Sequence, residues 1–283
     1  MLAVYDLECN PPTYDVVAFL ALAEIERKRL GDEYIDLHIL PGPVGGFRRD
    51  SLWPRSIEER VALRENVLVP ICHLLPSVRS VEVHSNRAYC FGGVFGYGQR
   101  KISFPAMMEA FKAGSRPLKP ITHCVKEPRL ITLTLREAEH HPLRNSQLEE
   151  WLAAYAELVQ RGWTVVVIRD TIKVGAVLPG AVIESPNASL NLHVRSQFYQ
   201  RAVLNVGISN GPMWMALFMD VPTLMLRPCE AGPSGYTAKY FERCGVPKNG
   251  QLPTSPPYQR LVWKDDTCEN IVQAVEEMMC VTG

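Results

Sequence analysis

The segment Ile208-Ser209-Asn210-Gly211-Pro212-Met213-Trp214-Met215-Ala216 carries the strongest chemical signal in the chain. An apolar strand stops, a small polar stretch turns, and Pro212 opens a helix at the first helical position, where its missing N–H costs nothing. Gly211 lets a ligand approach the backbone. The helix start offers unpaired N–H groups and partial positive charge, which suit a diphosphate. The competing reading is a tight strand-to-helix turn that binds nothing.

Three further strand ends carry polar groups. Arg136 follows Leu135, and an arginine there suits bidentate phosphate binding; Arg144 is grouped with it. A surface pair with Glu137 or Glu139 is the alternative. Arg169-Asp170 reads first as a salt-bridged pair that shapes its loop, and Arg169 counts as a nucleotide-binding candidate beside Glu184. The Glu184 carboxylate suits ribose hydroxyls as hydrogen-bond donors. In the first half, Asp6, Glu8 and Asp15 lie at or after the first strand, and each is a candidate general base for a hydroxyl acceptor. For Asp15 the rival role is a first-turn helix residue favoured by the dipole. The seven histidines show no metal spacing, and no nucleophile elbow or Cys–His arrangement points to a hydrolase.

These residues need an α/β frame to position them. Predicted strands lie at Leu2–Tyr5, Ile35–Leu40, Val81–His84, Leu130–Leu135, Thr164–Ile168, Ala181–Ile183, Val203–Ile208 and Thr223–Leu226. Helices are expected over about 15–30, 56–75, 146–161, 189–201, 212–218 and 267–279, from apolar residues at helical spacing. Ser146 and Glu149 read as a capping box for the third of these. Alternation of strand and helix implies parallel sheets with helices on their faces. A glycine- and aromatic-rich stretch, 86–101, reads equally as a mobile cover for a ligand or as a connector packing its aromatics inward. The proline-containing stretch 116–127 marks a linker, so the expected domains are 1–125 and 126–283, with the last helix free to pack back on the first.

At 283 residues the chain is long enough for about two domains. Thirty basic and thirty acidic residues leave no net charge, which argues against a general nucleic-acid binder. Asp6 and Glu8 interrupt any signal-peptide core. The longest uncharged run, Ala202 to Phe218, holds Asn205, Ser209, Asn210 and Pro212 in its middle, so an integral membrane segment is not expected. Eight dispersed cysteines without a C-x-x-C pair fit a reduced, cytoplasmic protein.

The stretch ISNGPMWMALFMDVPTLML, Ile208 to Leu226, resembles the signature of heptosyltransferase-like glycosyltransferases, with Ser209-Asn210-Gly211-Pro212-Met213 and Val221-Pro222-Thr223 matching. Trp214 stands where the family has histidine, and Asp220 where it usually has glycine. Tyr14-Asp15-Val16-Val17 weakly resembles the family's Gly-Asp segment. The resemblance implies a GT-B architecture, two Rossmann-like domains with parallel sheets facing a cleft. It implies a nucleotide-sugar donor on the second domain and a glycan or small-molecule hydroxyl acceptor on the first. It further implies metal-independent sugar transfer without a cofactor. By position, Ser209, Asn210, Gly211 and Pro212 would line the diphosphate, Arg136 would neutralise it, and Asp15 or Asp6 would be the base. A nucleotide-sugar 2-epimerase on the same fold, or a noncatalytic binding module using Trp214 as a stacking platform, are the rival readings.

Overall fold

The computed structural model describes residues 1–49, 55–87, 93–139, 142–226 and 238–282. The chain divides into two compact units, Met1–Ile121 and Thr122–Gly283. Each is built on a parallel sheet flanked by helices.

Among the described residues the first unit has three strands, β1 (Leu2–Asp6), β2 (Ile35–Leu40) and β3 (Val78–Val83), in the order β1-β2-β3. Helix α1 (Val16–Leu30) links β1 to β2 and stops at Gly31, whose φ of 74° is the left-handed conformation that glycine adopts without a Cβ clash. The single helix expected over 56–75 is α2 (Ile57–Leu63), a π-turn over Arg64–Leu68 and α3 (Val69–Cys72). Pro70 has no N–H to give, so the hydrogen-bond ladder shifts register just before it. An unforeseen helix, α4 (Phe104–Lys112), packs on α1. It explains why Val16 to Glu24 are buried all round, although their spacing reads as a one-sided stripe. Of the glycine- and aromatic-rich stretch, Tyr89, Phe91 and Gly92 lie outside the described residues. The described part turns inward: Phe95 accepts from the Val4 N–H at 2.9 Å, and its ring meets Phe19 at 5.4 Å. A Cβ on Gly96 would stand 2.3 Å from the Val4 carbonyl, so only glycine permits this approach.

The second unit contains β4 (Glu127–Thr134), α5 (Leu148–Gln160), β5 (Thr164–Ile168), α6 (Pro186–Leu190), α7 (Leu192–Arg201), β6 (Ala202–Ile208), α8 (Gly211–Phe218), β7 (Thr223–Leu226), α9 (Ala238–Arg243), β8 (Gln259–Val262) and α10 (Cys268–Thr282). The five strands among the described residues are parallel, in the order β5-β4-β6-β7-β8. Leu133, Val165, Leu204, Val206 and Leu224 pack with Trp151, Leu158, Ile271 and Val275 in the core. Strands buried on both faces read as continuous apolar runs, which made β5 and β6 legible.

Several local expectations are corrected. Ala181–Ile183 is not a strand; only Glu184 forms an isolated bridge, to Val167. The helix over 189–201 begins at Leu192, capped by Asn191, whose Oδ1 accepts from the N–H groups of His193 and Val194. The Ser146–Glu149 capping box does not form. Ser146 Oγ accepts from Arg136 N at 2.9 Å instead, and Asp266 caps α5 from far along the chain. Its Oδ2 takes the Gln147 N–H at 2.9 Å and the Trp151 indole N–H at 2.6 Å. Strand β8, with polar Gln259 and Arg260, was not foreseen.

Candidate functional site

The strand order of the second unit contains one reversal. From β4 the chain moves outward to β5, then returns past β4 to β6, β7 and β8. In open α/β sheets, ligands bind beyond the carboxyl ends of the strands at such a switch point. Here it lies between β4 and β6. Thr134 pairs with Gly207 across that gap, so Arg136 and Ser209 leave neighbouring strands at one level. Two stretches 73 residues apart in the sequence therefore converge.

Ser209 and Asn210 are both buried, and Asn210 is the N-cap of α8. Its Oδ1 accepts from the Met213 N–H at 2.9 Å, whereas its buried Nδ2 has no hydrogen-bond partner among the described residues. Gly211 is the first residue of α8 and Pro212 the second, still within the turn whose N–H groups have no helical acceptor. Gly211 is half-buried, while Pro212, Met213 and Trp214 are buried. Gly207 permits the turn: a Cβ there would meet Met213 Sδ at 2.7 Å and the Thr134 carbonyl at 3.0 Å. The helix therefore packs directly on the strand that feeds it.

Arginines border this corner. Arg144, at the end of a short 3-10 turn over Pro142–Arg144, donates from Nη2 to the Ser209 carbonyl at 3.1 Å. Arg136 is 4% exposed, and its guanidinium donates to Asn145 Oδ1. Arg144 is half-buried, which makes it the more accessible of the two; in the sequence it appears only as a companion of Arg136. His140 and His141 lie outside the described residues.

Arg169 and Glu184 stand one strand away, past β5. Arg169 is held by Glu137 through two bonds of 2.9 and 2.7 Å, and donates to the Ala176 carbonyl at 2.6 Å. It is committed to shaping its loop. Asp170 does not join that ion pair; it accepts from the Glu137 N–H at 2.6 Å, and burial pushes its carboxyl above the ordinary range. Glu184 Oε1 is buried without a hydrogen-bond partner among the described residues.

In the first unit, Asp6 and Asp15 have opposite surroundings. Asp6 is fully buried and accepts from Arg87, from the Glu8 N–H at 3.0 Å and from the Gly98 N–H at 3.0 Å. Burial alone would raise its pKa, but these donors outweigh it and hold the carboxyl below the ordinary value. Exposed Glu8 joins the same arginine at 3.0 Å. Asp15 occupies the N-cap position of α1 but makes no side-chain cap bond. Its Oδ2 accepts from the Thr13 hydroxyl at 2.6 Å. Burial raises its pKa, against the pull of Thr13, Arg100, Arg48 and Arg55. The two carboxyls are thus shifted in opposite directions, Asp15 up and Asp6 down.

The structure overturns two expectations, metal independence and the absence of a cofactor. His38, Glu82 and His84 offer one donor atom each, all within 4.8 Å of one another, a group able to hold a metal ion. The histidines show no metal spacing in sequence because β2–β3 pairing assembles the group: His38 is the register partner of Glu82.

No protein-family model matches the chain, and no curated protein matches it. Solved structures do. The Escherichia coli ADP-heptose LPS heptosyltransferase II matches with a TM-score of 0.58 and 11% identity over 99% of both chains. A glycosyl transferase family 9 protein from Veillonella parvula gives 0.50 and 12%, over 99% of this chain and 97% of that one. The E. coli heptosyltransferase WaaC with ADP gives 0.50 and 11% over the whole of both. No helix among the described residues is long and apolar enough to cross a membrane. In architecture the chain is a GT-B-type protein of two Rossmann-like α/β units, similar in fold to heptosyltransferases over nearly its whole length.

Proposed function

We propose that this protein is a glycosyltransferase that moves a sugar from a nucleotide-sugar donor to a hydroxyl acceptor, the second unit (Thr122–Gly283) holding the donor and the first (Met1–Ile121) the acceptor. The observation that carries the reading is the convergence of Arg136, Arg144 and the Asn210–Pro212 turn at the β4/β6 switch point. That corner combines cations, a helix N-terminus and a buried amide N–H₂ with an unmet bond, which suits a diphosphate.

In the reaction, the acceptor oxygen bonds to the anomeric carbon as the bond to the diphosphate oxygen breaks. The hydroxyl proton passes to Asp15, whose burial-raised pKa suits a base. The charge developing on the leaving diphosphate falls where Arg136, Arg144, Asn210 and Gly211 stabilise it, with Ser209 shaping the turn and Pro212 fixing its first helical residues. Glu184 accepts from ribose hydroxyls, with Arg169 holding the adjoining loop. Asp6, already paired with Arg87, supports the first strand's end.

A panel of nucleoside diphosphates in a thermal-shift assay tests the site, because a ligand that binds the folded state raises its melting temperature. At least one diphosphate should stabilise the protein and lose that effect in Arg144→Ala. No shift with any of them would remove the donor site. Release of nucleoside diphosphate from a matching donor on addition of acceptor tests the transfer itself.

A further inference from the structure

His38 and Glu82 lie side by side on β2 and β3, and His84 is the next same-face position beyond Glu82. The His84 N–H continues the ladder by donating to the Ile39 carbonyl at 3.0 Å. The two imidazoles meet edge to edge, with centroids 4.8 Å apart and planes only 22° apart. His38 Nδ1 and His84 Nε2 point at each other across 2.6 Å. Each Glu82 oxygen faces one of these nitrogens at 3.7 Å, Oε2 toward His38 and Oε1 toward His84. The contact is of hydrogen-bond length, one ring nitrogen facing the other.

We propose that His38 Nδ1, His84 Nε2 and the Glu82 carboxylate form a zinc-class transition-metal site on the first unit's sheet, with a fourth coordination position open to solvent. Two imidazoles and one carboxylate are a donor set for zinc or a similar ion, and they do not suit magnesium or calcium. Three protein ligands leave a position free for water or another oxygen ligand. Glu82, 62% exposed, places that position on the outer side, while His38 and His84 are only 19% and 20% exposed. A tetrahedral ion with bonds of about 2.0–2.1 Å needs its two nitrogens about 3.3 Å apart. On binding, the rings would turn about their side-chain torsions, so that the nitrogens move apart from 2.6 Å and both face the ion. The ion would replace the direct contact between the two rings and tie edge strand β3 to β2. The proposal is independent of the sugar-transfer reading.

The test uses the full chain after chelator treatment, titrated with Zn²⁺, with Co²⁺ as a spectroscopic probe and Mg²⁺ as control. Zn²⁺ should raise the melting temperature, and Co²⁺ should give a visible d–d band at about one equivalent, as expected for a single three-ligand site. His84→Ala should abolish the band and weaken Zn²⁺ at least about 100-fold, the upper end of what even outer-shell changes cost. Glu82→Gln, an exposed and near-isosteric change that leaves the fold intact, should weaken Zn²⁺ while keeping the unliganded melting temperature. Uptake that is unchanged in both variants would place the metal elsewhere, on cysteines for example, and overturn the proposal. So would the absence of Zn²⁺ and Co²⁺ uptake by the parent chain, or equal affinity for Mg²⁺.

Discussion

Arg87 grips Asp6 with both terminal guanidinium nitrogens, Nη1 to Oδ1 at 2.9 Å and Nη2 to Oδ2 at 2.7 Å, at the carboxyl end of β1. The pair sets Asp6, and with it Glu8, apart from Asp15 among the three candidate bases of the first unit. Asp6 is committed to this ion pair, and the proposed transfer uses Asp15.

Asp6→Ala should therefore destabilise the protein by about 3 kcal/mol, the low end for breaking a buried pair. The low end applies because Arg87 keeps 22% side-chain exposure. Chemical denaturation measures it. The folded-state pKa of Asp6 is lowered, so its contribution is complete above the unfolded value near 3.8 and is lost as pH falls through the lower folded value. The destabilisation seen at pH 7 should shrink as the solution is acidified below about 4.

Asp15→Asn should abolish transfer and leave donor affinity nearly unchanged. Because burial raises the Asp15 pKa, the acid limb of the rate profile should lie above the ordinary aspartate value of 3.8. Steady-state rates across pH check both; retained turnover in the variant would move the base elsewhere.

Arg136→Ala should weaken nucleoside-diphosphate binding by about 1.5–3 kcal/mol, the range for hydrogen bonds to charged groups, and Arg144→Ala by a similar amount. Calorimetric titration measures each. Arg169→Ala should behave differently, because it strands Glu137 in a buried loop. It should lower the melting temperature more than it lowers affinity.

Gly207→Ala should cost about 1–3 kcal/mol by overpacking. Its new Cβ would stand 2.7 Å from Met213 Sδ and 3.0 Å from the Thr134 carbonyl, so α8 would have to lift off β6. The melting temperature should drop, and diphosphate affinity with it, since the turn after β6 moves with the helix. A variant as stable as the parent would show that Met213 repacks freely.

The sequence by itself determined the strands β1, β2 and β4 to β7 and the polar groups at their ends, but not α4, β8 or the irregular Ala181–Ile183. Short, β-branched apolar runs such as Thr164–Ile168 and Val203–Ile208 read as buried strands. The Ser209–Pro212 turn carries its own cap in Asn210 and its own helix start in Gly211 and Pro212, all within a few residues. Such signals are local, so they survive without knowledge of the fold. What the tertiary structure alone decided is which distant groups meet. The Asp266 cap on α5, the assignment of Arg87 to Asp6, and α4 covering the second side of α1 all join residues far apart in the chain. So does the pairing of β2 with β3, which sets His38 beside Glu82 and His84. Spacing along a chain reports neighbours only within one helix or strand. Contacts between elements depend on strand order and register, and these are set by packing over the whole sheet.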